Sequence, residues 1–261
     1  MRRKARRGGG RQLEVVVEGL GAKGDGLASA EGRPLFLAQT VPGDRVLARV
    51  TGERGGGFKG EVIELLEPGP NRAEPPCPFF GPCGGCALQH MEDSAYAAWK
   101  QDQLSVALAR KDLTPETLHP LRRVAPGRRR RITWSVLRTA RELLLGYYER
   151  ESHQLADIDA CLLVVPQLQA LIAPLHELLE PLLEIREQAR VTATLCETGI
   201  DLLVDSRQPL GLEDREALAA FAAASDLARL SWSDGQEAPT PLALRRDPIL
   251  TFGGGLGTGR H

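Results

Sequence analysis

No apolar stretch in this sequence is long enough to span a bilayer, and the basic N-terminus has no apolar core of the kind a signal peptide needs. Both absences point to a cytoplasmic protein with no membrane partner. Net charge is nearly missing too: 33 Lys and Arg stand against 34 Asp and Glu, which leaves −1. The mean hides an asymmetry. Residues 1–140 carry 23 Lys and Arg against 15 acidic residues, whereas residues 141–261 carry 10 against 19. The first part is the natural face for nucleic acid and the second is not. Cysteine is scarce, at five in 261 residues. Nothing marks the chain as secreted, so disulfides are the lesser reading of those five. What is present suits a folded protein. At 42% hydrophobic residues the chain has material for a packed core. Its length suits two domains of roughly 100–200 residues each.

Four of the five cysteines fall into one pattern. Cys77, Cys83 and Cys86 lie in the Pro/Gly-rich run Cys77-Pro78-Phe79-Phe80-Gly81-Pro82-Cys83-Gly84-Gly85-Cys86, which has no room for a strand or helix. Cys83 and Cys86, two residues apart, form a metal-binding knuckle. Cys77 adds a third sulfur, and Cys161 is placed to close the set from elsewhere in the fold. Four thiolates suit zinc or an iron–sulfur cluster, and spacing alone does not choose between them. Gly84 and Gly85 let backbone N–H groups approach the sulfurs.

The run from Cys77 to His90, with its Cys-Gly-Gly-Cys and the following Ala87-Leu88-Gln89-His90, resembles the iron–sulfur segment of bacterial 23S rRNA uracil-C5 methyltransferases. Ile158-Asp159-Ala160-Cys161, followed by Val164-Val165-Pro166-Gln167, resembles the later site that supplies that family's fourth ligand. The resemblance implies a 4Fe–4S cluster on Cys77, Cys83, Cys86 and Cys161. It implies RNA as partner, 23S rRNA above all, and S-adenosylmethionine as methyl donor.

Outside the cysteine set the chain divides into segments. Residues 1–11 form a basic, Gly-rich tail expected to be disordered and able to act as a phosphate-binding arm. Residues 12–68 read as short strands with turns at Glu31-Gly32 and at Pro42-Gly43, and a flexible loop at Gly55-Gly56-Gly57. Together they suggest a small barrel. The pattern resembles a TRAM domain, the OB-like RNA-binding barrel that precedes the cluster in the same family. Lys23, Arg45, Arg49, Arg54, Phe58 and Lys59 are its candidate RNA contacts: cations for phosphate and one ring for stacking. Residues 69–91 hold the cysteine segment. Residues 92–250 read as a helix at 92–112 followed by an α+β domain built of antiparallel pairs. A linker before that domain ends in Arg128-Arg129-Arg130-Arg131, four arginines that cannot all face a core and are candidate phosphate contacts. Residues 167–187 have helical periodicity, with Pro174 and Pro181 expected to kink or break the helix. Cys196 reads as a small buried residue and His153 as a surface one.

Residues 251–261 read as a flexible Gly-rich tail. They do not form a dinucleotide loop, because no helix and no acidic residue follow. In the resembled family the nucleophilic cysteine, its base and the methyl-donor site lie on a Rossmann-like domain beyond the matched region. No cysteine follows Cys196 to act as nucleophile. The resemblance therefore implies the RNA-recognition and iron–sulfur part of such an enzyme, with the Rossmann-like methyltransferase domain absent, no catalytic residue assigned, and S-adenosylmethionine used only through the missing domain. Two other readings are a standalone RNA-binding iron–sulfur or zinc module without enzymatic activity, and one subunit of a split enzyme whose partner chain brings the methyl-donor domain.

Overall fold

The computed structural model describes residues 10–236 and 238–251. Most of the basic tail and of the Gly-rich end therefore lies outside the described residues. The described chain falls into two compact units. One runs to Phe80 and resumes at Cys86–Arg122; the other takes Gly81–Gly85 and the chain from Arg123 onward.

The first unit is a six-stranded sheet made from β1 (Gln12–Val16), β2 (Gly19–Leu20), β3 (Gly26–Ala30), β4 (Arg33–Leu37), β5 (Arg45–Arg54) and β6 (Gly57–Glu67), in the order β1-β5-β6-β4-β3-β2. Strand residues alternate between the two faces of a sheet. One alternation here is uniformly apolar and buried: Val15 and Val17, Ala28 and Ala30, Leu35 and Leu37, Val46 and Ala48 form one cluster. The sheet wraps around that cluster, as a small barrel requires. Glu31 and Gly32 both have positive φ, 54° and 72°, as a two-residue hairpin turn needs. The expected flexible loop at Gly55-Gly56-Gly57 is instead a tight turn. Gly55 and Gly56 sit at φ 53° and 77°, and Arg54 already pairs with Gly57. The strands simply run to the glycines, because two residues with positive φ suffice to reverse the chain.

Asp44 fastens the chain beyond β6 to this sheet. Its carboxylate is fully buried and accepts from Val41 N–H (2.8 Å), Gly69 N–H (2.8 Å), Arg72 Nε (3.0 Å) and Arg72 Nη2 (2.7 Å). Burial by itself would raise the pKa of this carboxyl; the hydrogen bonds from Arg72, Gly69 and Val41 outweigh it and hold the group below its ordinary value. Arg72 in turn bridges to Met91, and Leu88 packs over Gly24. Helix α1 (Asp93–Ala109) closes the unit with no buried residue; Leu104 and Val106 are about half exposed.

The second unit is a seven-stranded sheet of β7 (Arg131–Arg138), β8 (Leu143–Tyr148), β9 (Leu155–Asp157), β10 (Gln188–Cys196), β11 (Gly199–Ser206), β12 (Leu227–Ser233) and β13 (Thr240–Leu244), in the order β13-β12-β11-β10-β7-β8-β9. Helices α3 (Ile172–Leu182) and α4 (Leu212–Ala224) pack against it, burying Ile172, Leu175 and Leu179 from α3 and Leu218 and Ala222 from α4. Five of the six strand pairs are antiparallel, as expected, and one is not: β11 and β12 run parallel, joined through α4. A parallel pair needs a crossover, and α4 supplies it. Asp201 and Arg229, register partners across this pair, make a two-pronged ion pair at 2.7 and 2.8 Å.

The helical stretch at 167–187 breaks in an unexpected place. A short α2 (Pro166–Gln169) ends at Ala170, and α3 starts at Ile172. Pro174 sits in the first turn of α3, where its missing N–H costs no helix bond. Pro181 stands in the last turn and the helix stops at Leu182.

Candidate functional site

Residues 81–85 of the cysteine segment, which belong to the second unit, lie against the end of β8. The backbone of Gly84 lies so close to Tyr148 that a Cβ there would come within 2.2 Å of the Tyr148 carbonyl oxygen. A Cβ on Gly85 would stand 3.4 Å from Cys83 Sγ and 3.5 Å from the Tyr147 ring. Only glycine permits this approach at residue 84. Cys161 lies in the loop before α2, and the Gln169 side chain pins it: Cys161 N–H donates to Gln169 Oε1 (2.7 Å), while Gln169 Nε2 donates to the Asp159 carbonyl (3.0 Å).

None of the five cysteines forms a disulfide. Cys77, Cys83, Cys86 and Cys161 are all partly exposed, a donor set right in kind for a thiolate-bound metal centre. Among the described residues no group of three or more His, Cys, Asp or Glu is placed to hold a metal ion. Cys196 differs from the other four: it is buried, and burial, ahead of the nearby Asp201 carboxylate, pushes its thiol up. That is the opposite of the shift an activated thiolate nucleophile needs. His153 is exposed.

The candidate RNA contacts of the first unit are mostly engaged already. Arg45 pairs with Glu14 (3.2 Å) and Glu67, and Arg49 with Glu61. The Glu67 hydrogen bond raises the pKa of Arg45 and lowers that of Glu67. Arg54 pairs with the buried Asp25 (2.8 Å) and lies over the Phe36 ring at 5.0 Å. Lys23 is exposed and Lys59 is half-buried. Phe58 carries a guanidinium that sequence reasoning missed: Arg33 lies 4.3 Å from the ring centroid and donates to the Gly56 carbonyl at 3.1 Å. The two residues are far apart in sequence, so no local signal announces the stack.

In the second unit the arginine run is laced to the Cys161 loop by backbone hydrogen bonds. Gly127 N–H donates to Leu162 O (2.8 Å), Arg129 N–H to Leu163 O (2.9 Å), and Val165 N–H to Arg129 O (3.0 Å). Arg130 is exposed but engaged, donating to the Leu195 carbonyl (3.1 Å) and pairing with Glu197 (3.0 Å). Arg128, Arg129 and Arg131 are exposed, with no side-chain partner among the described residues. An open groove of about 600 Å³ runs past Arg128, Arg130, Gln167 and Glu197.

Comparison with known proteins gives these surfaces a context. The chain is 35% identical over 246 residues to an RNA methyltransferase of Rhizobium meliloti, spanning 92% of this chain and 57% of that protein. It is 33% identical over 215 residues to the 23S rRNA (uracil(1939)-C(5))-methyltransferase RlmD of Pectobacterium atrosepticum, spanning 81% of this chain and 48% of that one. Its homologues are RNA methyltransferases. The chain spans about half the length of the curated relatives it matches. No family model matches. Among solved structures, the tRNA (uracil-54, C5)-methyltransferase of Pyrococcus abyssi, crystallised with S-adenosyl-L-homocysteine, superposes with a TM-score of 0.60 at 17% identity. The match covers 86% of this chain and 52% of that chain.

This likeness overturns one expectation about the architecture, that the chain leaves a methyltransferase domain out. Over 86% of its length the chain shares the fold of just over half, 52%, of that methyltransferase. Among the described residues no helix is long and apolar enough to cross a membrane.

Proposed function

We propose that the chain belongs to an S-adenosylmethionine-dependent RNA uracil-C5 methyltransferase whose substrate is 23S rRNA and which works in the cytoplasm. The observation that carries this reading is the similarity to 23S rRNA (uracil-C5) methyltransferases at 33% identity, together with a fold like that of a methyltransferase over most of the chain. In this reading the six-stranded unit is a TRAM-like RNA-binding domain. Cys77, Cys83, Cys86 and Cys161 are ligands of a 4Fe–4S cluster that fixes the fold rather than reacting. The supporting observations are the donor set itself, the absence of disulfides among these thiols and the close packing of Gly84 against the Tyr148 backbone. Arg128, Arg129 and Arg131 contact RNA phosphate. Support comes from their exposure and from the lacing of their backbone to the Cys161 loop, which lets whatever orders that loop set the arginines too.

The test is chemical. Ribosomal RNA from cells lacking the gene for this protein should lose one 5-methyluridine from 23S rRNA, detected by mass spectrometry of RNA fragments, and regain it when the gene is returned. Unchanged 5-methyluridine would overturn the reading. Anaerobically purified protein should contain iron and acid-labile sulfide and absorb in the visible; zinc alone, in colourless protein, would overturn the cluster assignment and leave the methyltransferase assignment standing.

A further inference from the structure

In the first unit a cleft of about 380 Å³ opens between the ends of the strands, lined by Leu13, Ala30, Val50 and Phe58 and rimmed by Arg11 and Glu31. The volume suits a single flat heterocycle better than a helix or a strand. We propose that this cleft is a base-specific subsite for an unpaired guanine in single-stranded RNA. The proposal rests on the RNA-modifying reading above and goes beyond it by naming the base and the residues that read it.

Stacking is the first requirement. Phe58 lines the cleft, and its ring is held by Arg33, whose guanidinium lies 4.3 Å from the ring centroid and is itself fastened to the Gly56 carbonyl. A ring backed by a cation is a preorganised stacking platform, and unpaired bases use such platforms irrespective of sequence. Leu13, Ala30 and Val50 supply apolar contact for the rest of the base.

The rim then selects. Arg11 and Glu31 form an ion pair at the mouth of the cleft, with Glu31 held in the turn between β3 and β4 at φ 54°. The hydrogen-bonding edge of guanine carries two adjacent donors, N1–H and the N2 amino group, beside one acceptor, O6. A carboxylate takes two parallel donors and a guanidinium takes the acceptor, so the Arg11–Glu31 pair matches that edge in both signs. Adenine offers one amino donor next to a bare ring nitrogen, which would face the carboxylate lone pairs. Uracil offers one N–H between two carbonyls, one of which meets the same repulsion. Arg11 and Glu31 are more than half exposed, so a mismatched edge leaves them to water and to each other, and the discrimination is the modest one of a lost bidentate contact.

The experiment measures binding of the 261-residue chain to short uridine-rich single-stranded RNAs at one fixed salt concentration. Each RNA carries guanine, inosine or adenine at its centre. Inosine is the sharp probe because it lacks only the N2 amino group. The expected result is about tenfold weaker binding for inosine and for adenine than for guanine. Glu31→Gln should make guanine and inosine bind alike, and because Glu31 is an exposed turn residue its circular dichroism should match that of the parent protein. Phe58→Leu should weaken all three RNAs together. Equal affinity for guanine, inosine and adenine, with RNA binding intact, would overturn the subsite and leave the RNA-modifying reading untouched. Absence of binding to any RNA would overturn both. The base series and Glu31→Gln decide the matter even if the Phe58 variant fails to fold.

Discussion

The arginines of the first unit's sheet and the arginine run of the second unit are held in opposite ways. In the six-stranded unit Arg33, Arg45, Arg49, Arg54 and Arg72 all reach carboxylates, at Glu53, Glu14 with Glu67, Glu61, Asp25 and Asp44. In the seven-stranded unit the run at 128–131 commits only Arg130, leaving Arg128, Arg129 and Arg131 in solvent. The same residue type therefore does different physical work. An arginine already paired must give up its partner to neutralise a phosphate, whereas an unpaired one only sheds hydration and counterions. The comparison teaches that composition locates a basic region but not an available charge. Arg45, Arg49 and Arg54 look like an RNA surface in sequence, and in the structure they first serve the sheet.

The comparison breaks most visibly at Asp44, the buried member of the first set. Asp44→Asn keeps the shape but removes the charge that Arg72 and two backbone N–H groups converge on. Breaking a buried pair from one side leaves the other charge uncompensated, so the variant should lose about 3 kcal/mol of unfolding free energy. Urea denaturation at neutral pH measures it, and a loss within error of zero would mean Asp44 is no anchor. The pH dependence has a fixed sign. The folded pKa of Asp44 is lowered, so its contribution is present above the ordinary carboxylate value of about 4 and is lost as pH falls through the folded value. The parent protein should therefore lose stability on acidification below about pH 4 more steeply than Asp44→Asn does.

A second, smaller effect sharpens the other side of the comparison. Gln169→Leu removes the acceptor of the Cys161 N–H and the donor to the Asp159 carbonyl while keeping volume. Each loss is worth about 1 kcal/mol. Because the Cys161 loop is laced to residues 127–129, the variant should show both a lower melting temperature and less iron per chain. A melting shift with full iron content would separate loop stability from cluster binding and weaken the proposed role of Cys161.

The strands of both units and the hairpin pairs β7–β8 and β10–β11 were legible in the chain itself, and the pairings between strands distant in sequence were not. Leu13 to Val17 announces a strand by its β-rich composition, Arg45 to Val50 announces a half-buried strand by alternation, and Glu31-Gly32 announces its turn. Alternation says which face is buried but not which strand lies alongside. For that reason the parallel β11–β12 pair was invisible, although both strands were recognised. The helix break at Ala170 was hidden because Pro174 draws attention and yet is harmless in a first turn. At the candidate site the cysteines were legible as a set of residue types. Gln169, Arg33 and Arg72 were missed because each acts through a partner that only the fold brings near.

The direct test of available against committed charge is the salt dependence of RNA binding. Arg128→Ala combined with Arg131→Ala should weaken binding to ribosomal RNA fragments about tenfold at moderate salt. It should also flatten the slope of log K against log salt by about two units, one per lost phosphate contact. An unchanged slope would remove both residues from the interface and dissolve the contrast between the units.

The smallest effect is expected from Arg49, and it is informative for that reason. Arg49 pairs with Glu61 across β5 and β6, and its side chain is about one-third exposed. Surface pairs of this kind contribute about 0.5 kcal/mol to stability. If the arginine is committed to its strand partner, Arg49→Ala should leave the salt slope of RNA binding unchanged. Glu61→Gln, which frees the same guanidinium without removing it, should then steepen that slope by up to about one unit. The two variants move the slope in different ways only if the ion pair competes with phosphate. A flatter slope in Arg49→Ala, with no change in Glu61→Gln, would show that Arg49 reaches RNA despite its partner, and the paired arginines of the first unit would then belong to the RNA surface after all.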